Sequence, residues 1–279
     1  MSLGRNLHEA TVEGFGEEWS TFDQMRLDGA EREKLFGEYF AVFPWNELPE
    51  DAVGADIGCG SGRWARLVVS RVGALTCVDA SNAALAVARE ALADASNCSF
   101  AHASVDNLPF EPASLDFAYS LGVLHHVPDT RGALRACAQV LKPGAPFLVY
   151  LYYALDGRPR WYRALWKASD VVRRCVSRLP HRLRLAVSAI AAVAVYMPLA
   201  RAAKVTARLG RNADGMPLAY YRDRSFYTMR TDAYDRLGTQ LEQRFTREEI
   251  QRMLADAGFV EVEFSDSPPF WCAVGRRAA

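Results

Sequence analysis

Short apolar runs alternate with alanine-rich helical stretches over the first half of the chain. VGADIG (53–58), LTCVDAS (75–81), CSFAHAS (98–104), LDFAYSLG (115–122) and PFLVYLYY (146–153) each read as a strand. Between them, NAALAVAREALADA (82–95) and TRGALRACAQVLKPG (130–144) carry a helical pattern, the second closed by Pro143 and Gly144. Strands that alternate with helices predict a parallel sheet covered on both faces. The rhythm resumes at Phe245. FTREEIQRMLADAGF (245–259) opens with Thr246 three residues before Glu249, a capping box, and Gly258 is a helix stop. VEVEFS (260–265) alternates, and FWCAVG (270–275) follows after Pro268 and Pro269. Two strands joined this tightly cannot be parallel, because a parallel link needs a crossover. The expectation is therefore a doubly wound α/β fold with a seven-stranded, mostly parallel sheet whose last strand is antiparallel.

The stretch between these parts, 153–244, breaks the pattern and predicts a helical insertion before the last two strands. The domain layout expected is an N-terminal helical lid over 1–50, a core of 51–152 and 245–279, and the insertion. The whole chain is formally neutral and half hydrophobic, which provides for a sizeable core and argues against disorder. The neutrality hides an imbalance: 156–211 holds thirteen Lys or Arg against two Asp or Glu. Within it, Leu185–Ala200 is sixteen residues without a charge, bounded by Arg184 and Arg201 and interrupted by Pro198. That is shorter than the about twenty residues a bilayer span needs. A buried helix, a lipid-facing helix and a homodimer seam all remain open. The basic flanks and the nearby Trp161, Tyr162 and Trp166 suit a membrane surface through 158–211, which is compatible with a cap over a pocket. Nucleic acid is a weaker reading, because a basic binding surface does not usually enclose a long apolar run.

The six cysteines form no C-x-x-C pair, and no ligand cluster predicts a metal. Their scatter reads as reduced thiols. The first residues contain no long apolar run, which argues against a secretory signal. The resulting expectation is a cytoplasmic protein, peripheral on the inner face of the membrane if the insertion binds it.

The glycine-rich stretch ADIGCGSGRW (55–64) carries the chemistry. A dinucleotide fingerprint wants a third glycine at the position of Arg63; here the glycines are Gly58, Gly60 and Gly62, with Asp56 before them. An acid is awkward beside a pyrophosphate but suits an ammonium. The turn and the N–H groups of the following helix suit a carboxylate. Asp79 ends the next strand, where an acid can accept from both ribose hydroxyls. A ligand with an amino-acid end and a nucleoside end satisfies these facts together.

ADIGCGSG, CVDAS, ASVDNLPFEPASLDFAYSLGVLHHVPD and LKPGAPFLVY, in this order, resemble the class I S-adenosylmethionine-dependent methyltransferases. Within them the chain is similar to the small-molecule type 11 group, which includes ubiquinone- and menaquinone-pathway enzymes. The resemblance covers about 53–152 and 245–276 and implies a Rossmann-like methyltransferase fold. It also implies S-adenosylmethionine as cofactor and S-adenosylhomocysteine as product. The acceptor would be a small molecule or a lipid-linked one. By the same resemblance Asp56, Gly58, Cys59, Gly60 and Gly62 hold the methionine end, Asp79 and Ala80 the ribose, and Ser104 and Val105 the adenine. Ser120 and Trp19 complete the cofactor set, with Phe15, Trp19 and Phe22 on the lid. The chain departs from the group at Ala103-Ser104-Val105, where the family usually reads G-D-A; Asp106 or the Val105 N–H could take over the adenine contact.

Methyl transfer is an in-line displacement, so the protein mainly positions and excludes water. A base is needed only for a protonated acceptor. His125 and His126 follow the fourth strand, at the ligand end of such a sheet. His125 is the candidate base and His126 a candidate acceptor contact. Tyr221, Arg222, Arg224 and Tyr227, in YYRDRSFYTMR (220–230), could grip an acidic or aromatic acceptor; pairing with Asp223 and Asp232 on a solvated loop is the competing reading. Two alternatives stand beside the enzyme: a cofactor-binding protein without transferase activity, motivated by Ser104, and an RNA methyltransferase.

Overall fold

The computed structural model describes residues 6–155 and 157–279. In chain order the first elements are α1 (Glu9–Thr21), α2 (Gly29–Tyr39), β1 (Val53–Ile57), α3 (Ala65–Val68) and β2 (Ala74–Asp79). They are followed by α4 (Asn82–Ala91), β3 (Cys98–His102), β4 (Phe117–Leu121), α5 (Thr130–Val140) and β5 (Pro146–Tyr150). Then come α6 (Arg160–Val176), α7 (His181–Ala191), α8 (Met197–Arg208) and α9 (Phe226–Gly238). The chain ends with α10 (Arg247–Asp256), β6 (Phe259–Phe264) and β7 (Cys272–Arg277). These elements divide into two compact units. The first contains Met1–Met25, Glu33–Asp156 and Leu241–Ala279; the second contains Arg26–Arg32 and Gly157–Gln240. The insertion is thus a unit of its own, four residues shorter at each end than its composition suggested, and it includes a piece of the expected lid.

In the first unit seven strands run in the order β3-β2-β1-β4-β5-β7-β6. The first five are parallel, and β7 is antiparallel to both β5 and β6, as the tight Pro268–Pro269 connection requires. β4 is buried at all five positions, as a strand covered on both faces should be. Helices bury the stripe their spacing predicts: Leu134, Cys137 and Ala138 of α5 meet Phe147, Ile250, Leu254 and Phe259 in the main core. Each of the leucine, isoleucine and phenylalanine side chains among them contributes about 1.5–3 kcal/mol. Caps fix the helix starts. Ser81 accepts from the Ala84 N–H at α4, Asp129 from Gly132 at α5, and Thr246 with Glu249 forms the capping box of α10.

The second unit is helical. α7, a π turn over Ala192–Tyr196 and α8 form one continuous helix, His181–Arg208. It is 28 residues long, so by length and composition it could cross a membrane, which the sixteen-residue uncharged run alone did not suggest. One face packs on α9 and on the 3-10 turn Ala219–Asp223, around Ala192, Tyr196, Ala200, Met229 and Ala233. The interior is partly ionic. Asp170 accepts from Arg173 at 2.7 Å and Arg174 at 2.9 Å. Burial alone would raise its carboxyl, but the hydrogen bonds from Arg173 and Arg174 hold it below the usual range. Arg173 also donates to the carbonyls of Thr239 and Gln240, and Arg184 to that of Gly238. Both cations therefore serve the C-terminal end of α9, where free carbonyls and the helix dipole favour them. At the other end of α9, Glu31 accepts from Ser225 N and Thr228 Oγ1, which ties Arg26–Arg32 to this unit.

Candidate functional site

The glycine stretch leaves β1 at Ile57 and folds over the end of β2: the Gly58 and Cys59 N–H groups donate to the Val78 carbonyl at 2.7 and 3.0 Å. Gly58, Gly60 and Gly62 have φ of +81°, +54° and +72°, a region closed to most side chains. Space also requires glycine. A Cβ on Gly58 would lie 2.4 Å from Val123 Cγ2, and one on Gly60 would lie 2.8 Å from Trp19 Nε1. Two carboxylates flank the turn. Asp56 is buried in β1 and accepts from Tyr119 Oη at 3.0 Å. Asp79, at the end of β2, accepts from the Gly60 N–H at 2.9 Å and the Ser81 N–H at 2.8 Å. Burial pushes the Asp56 carboxyl well up, partly offset by Tyr119 and reinforced by Asp79. Burial also raises Asp79, against the pull of the Ser81 and Gly60 hydrogen bonds. The helix after the turn is shorter than expected: α3 has four residues, and Gly62 N–H is spent on the Cys59 carbonyl. The backbone cradle is therefore the turn itself rather than a long helix N-terminus.

Along the same strand ends, Ser104 and Val105 are buried, and Ser104 Oγ donates to Asp106 Oδ1 at 2.6 Å. The charge missing at Ser104 is thus present two residues on, oriented by Ser104 itself and by the Asn6 N–H at 2.9 Å. Ser120 is fully buried and donates to the Ile57 carbonyl, where it braces β1 against β4. The buried Cys59 sits inside the turn, and Ala80 offers its carbonyl to the His102 ring.

α1 lies against these elements. Trp19 seats on Gly60, Gly16 approaches Ser81, and the Phe15 ring is 5.0 Å from that of His126. Phe22 is buried. His126 Nδ1 donates to the Leu241 carbonyl at 2.7 Å. His125 differs. It is fully buried, its ring is 3.8 Å from that of Tyr152, and neither nitrogen has a hydrogen-bond partner among the described residues. Burial, with His126 and Arg244 adding to it, holds this imidazole well below its ordinary range, so it is neutral at pH 7. An orphaned buried polar ring costs stability and calls for a function.

Sequence reading missed three residues here. Tyr119 was hidden in a strand where every position is buried, although its register opposite Asp56 places the two together. Tyr150 and Tyr152 were read as strand; β5 stops at Tyr150, and Tyr152 turns onto His125. The proposed acceptor residues Tyr221, Arg222, Arg224 and Tyr227 all belong to the second unit. Tyr221 donates to Asp232, Arg222 pairs with Asp214 and Asp223, and Arg224 is buried over the Tyr220 ring. Tyr227 lies in the first turn of α9, where its carbonyl accepts from Thr231. The expected pairing with Asp223 and Asp232 is present, in a 3-10 turn and helix rather than a solvated loop.

Residues 55–149, which hold this turn, both carboxylates and the histidine pair, match the family model of a methyltransferase domain. These residues form a methyltransferase domain of the class I S-adenosylmethionine-dependent kind, in the type 11 group. The chain is 36% identical over 91 residues to a ubiquinone biosynthesis O-methyltransferase of Idiomarina loihiensis, covering 32% of this chain and 37% of that protein. It is 34% identical over 108 residues to an O-methyltransferase of Pyrenophora dematioidea, covering 37% and 40%. The chain thus spans well under two thirds of these relatives. A possible histamine N-methyltransferase from Thermotoga maritima shares the fold at a TM-score of 0.51 and 14% identity, over 96% of this chain and 99% of that one.

Proposed function

We propose that this methyltransferase domain moves a methyl group from S-adenosylmethionine to a hydroxyl of a small-molecule acceptor and releases S-adenosylhomocysteine. The observation that carries the reading is the pair of carboxylates, buried Asp56 and half-buried Asp79, on either side of a turn whose glycines cannot bear a Cβ. The cradle fits such a cofactor. The turn and Asp56 receive the amino-acid end, and an ammonium there favours the ionised form of Asp56. Asp79 and the Ala80 backbone receive the ribose. Asp106, oriented by Ser104, and the Val105 backbone receive the adenine. When bound, the cofactor supplies an electrophilic methyl on a sulfonium. α1, through Trp19 and Phe15, excludes water. His125 accepts the proton of the acceptor hydroxyl, for which its neutral, unpartnered ring is suited. Two similar proteins are named O-methyltransferases, which favours transfer over cofactor binding alone and over RNA as acceptor. All six cysteines are free, which supports a reducing, cytoplasmic setting.

Calorimetric titration with S-adenosylmethionine and S-adenosylhomocysteine tests the site, and labelled methyl transfer to a panel of phenols and alcohols tests the reaction. Folded protein that binds neither ligand overturns the whole reading. Binding without any methylated product restores the non-transferase alternative.

A further inference from the structure

The second unit is built with its polarity reversed. Along the helix His181–Arg208 the buried positions step by four, through Arg184, Ser188, Ala192, Tyr196 and Ala200, and none of these is a large aliphatic. Large aliphatic side chains stand on its exposed side: Leu183 at 52%, Ile190 at 66% and Val193 at 53% of full exposure. α6 is similar, with Asp170 and Arg173 inside beside Val176, and Trp161, Leu165 and Val172 outside. A water-facing helix shows the opposite distribution.

The exposed aliphatics share their helices with cations. Arg163, Lys167 and Arg178 are exposed on or just after α6, and Arg182, Arg201 and Arg208 on the long helix. Asp170, the described acid among residues 157–211, is neutralised by Arg173 and Arg174. We infer that this unit docks on an anionic lipid bilayer, with α6 and the 181–208 helix lying in the interface and their aliphatic faces in the acyl boundary. Apolar contact and a single sign of charge are what such a surface selects. The helix lies on the bilayer rather than crossing it. Crossing would strip it from α9 and carry Arg184 and Ser188, now packed inside, toward hydrocarbon. The docking does not depend on the methyl-transfer reading.

Flotation of the full chain with vesicles of phosphatidylcholine, with and without phosphatidylglycerol, tests this. Binding is expected to the mixed vesicles and to be much weaker to the neutral ones. The triple variant R182Q/R201Q/R208Q should lose on the order of a hundredfold in partitioning, at about 1 kcal/mol per cation. I190S/V193S should lose binding that added salt does not abolish in the wild type. Both variants alter exposed side chains, so circular dichroism and cofactor titration should match the wild type. No binding to anionic vesicles overturns the proposal. So does self-association that I190S/V193S abolishes without any vesicle binding, which would make the face a homodimer seam. Resistance to alkaline carbonate extraction would overturn the lying geometry in favour of a span.

Discussion

The two units spend the same residue types in opposite ways. In the first, aliphatic side chains fill the interior, and charge is buried at Asp56, beside the half-buried Asp79. In the second, an Asp and three Arg are buried while Ile190, Val193 and Trp161 face outward. Both α5 and the 181–208 helix bury a single stripe, so periodicity alone does not say which kind of residue is covered. The difference shows that burial follows the partner an element packs against, be it a sheet or the end of a neighbouring helix.

The largest expected effects lie at the charges of the first unit. Asp79→Ala removes an anchor that both shapes the turn and meets the ligand; two charge-assisted hydrogen bonds are worth about 3–6 kcal/mol, so cofactor affinity should fall by at least about a hundredfold in a calorimetric titration. His125→Phe should lower kcat by about 10²–10⁴-fold with little change in cofactor affinity. The same variant has a stability signature. The folded pKa of His125 lies below its unfolded value of about 6.5, so the unfolded chain binds protons first and stability is lost as pH falls below about 6.5. Phe at this position should flatten that slope, as read by thermal melts across pH; an unchanged slope would remove His125 as its source.

Next comes the ionic interior of the second unit. Asp170→Ala leaves Arg173 buried without its partner and should cost about 3–5 kcal/mol, while cofactor titration in the first unit stays near wild type. Since its carboxyl is held low, the Asp170 contribution is present above the unfolded carboxylate value and fades as pH drops through the folded one. Aliphatic truncation gives a smaller and sharper contrast. Val149→Ala, in a fully buried strand position, should cost about 2 kcal/mol, and Val193→Ala less than about 0.5 kcal/mol in chemical denaturation. Equal costs at the two sites would mean that Val193 is covered. The smallest effect has the opposite sign. Asp56→Asn should raise the melting temperature by about 2–4 °C while weakening cofactor binding, because burial makes the ionised carboxyl unfavourable and stability falls as pH climbs through its raised value.

Much of the first unit was legible because its rules are local. Alternation, capping residues and the Pro268–Pro269 turn gave every strand and the antiparallel one within a few residues. Asp56, the glycines and Asp79 sit where strand ends meet turns, and that punctuation is visible in sequence. Tyr119 and Tyr152 were not legible, since their roles depend on which strand lies beside which and where β5 stops. The orphaned state of His125 is a property of its surroundings and leaves no trace in LGVLHHVPD. The second unit was readable in charge and composition but not in orientation. Its buried cations answer carbonyls at the end of α9 more than fifty residues away, beyond the reach of any periodic pattern.

The π turn at Ala192–Tyr196 has a consequence for how this helix tolerates change. In a regular α-helix each step of four residues overshoots one turn by about 40°, so a stripe at 184, 188, 192, 196 and 200 would spiral around the axis. The wider turn takes back that drift and keeps the stripe in line. A one-residue deletion there, removing only an alanine such as Ala194, would let the turn relax to regular winding and leave the downstream stripe near its present phase. The same deletion in the regular winding of α8, at Ala202, would swing everything after it by about 100° and carry Ala203 out of the packed side. The segment therefore works as slack in the helix, the place where a change in the number of residues is absorbed.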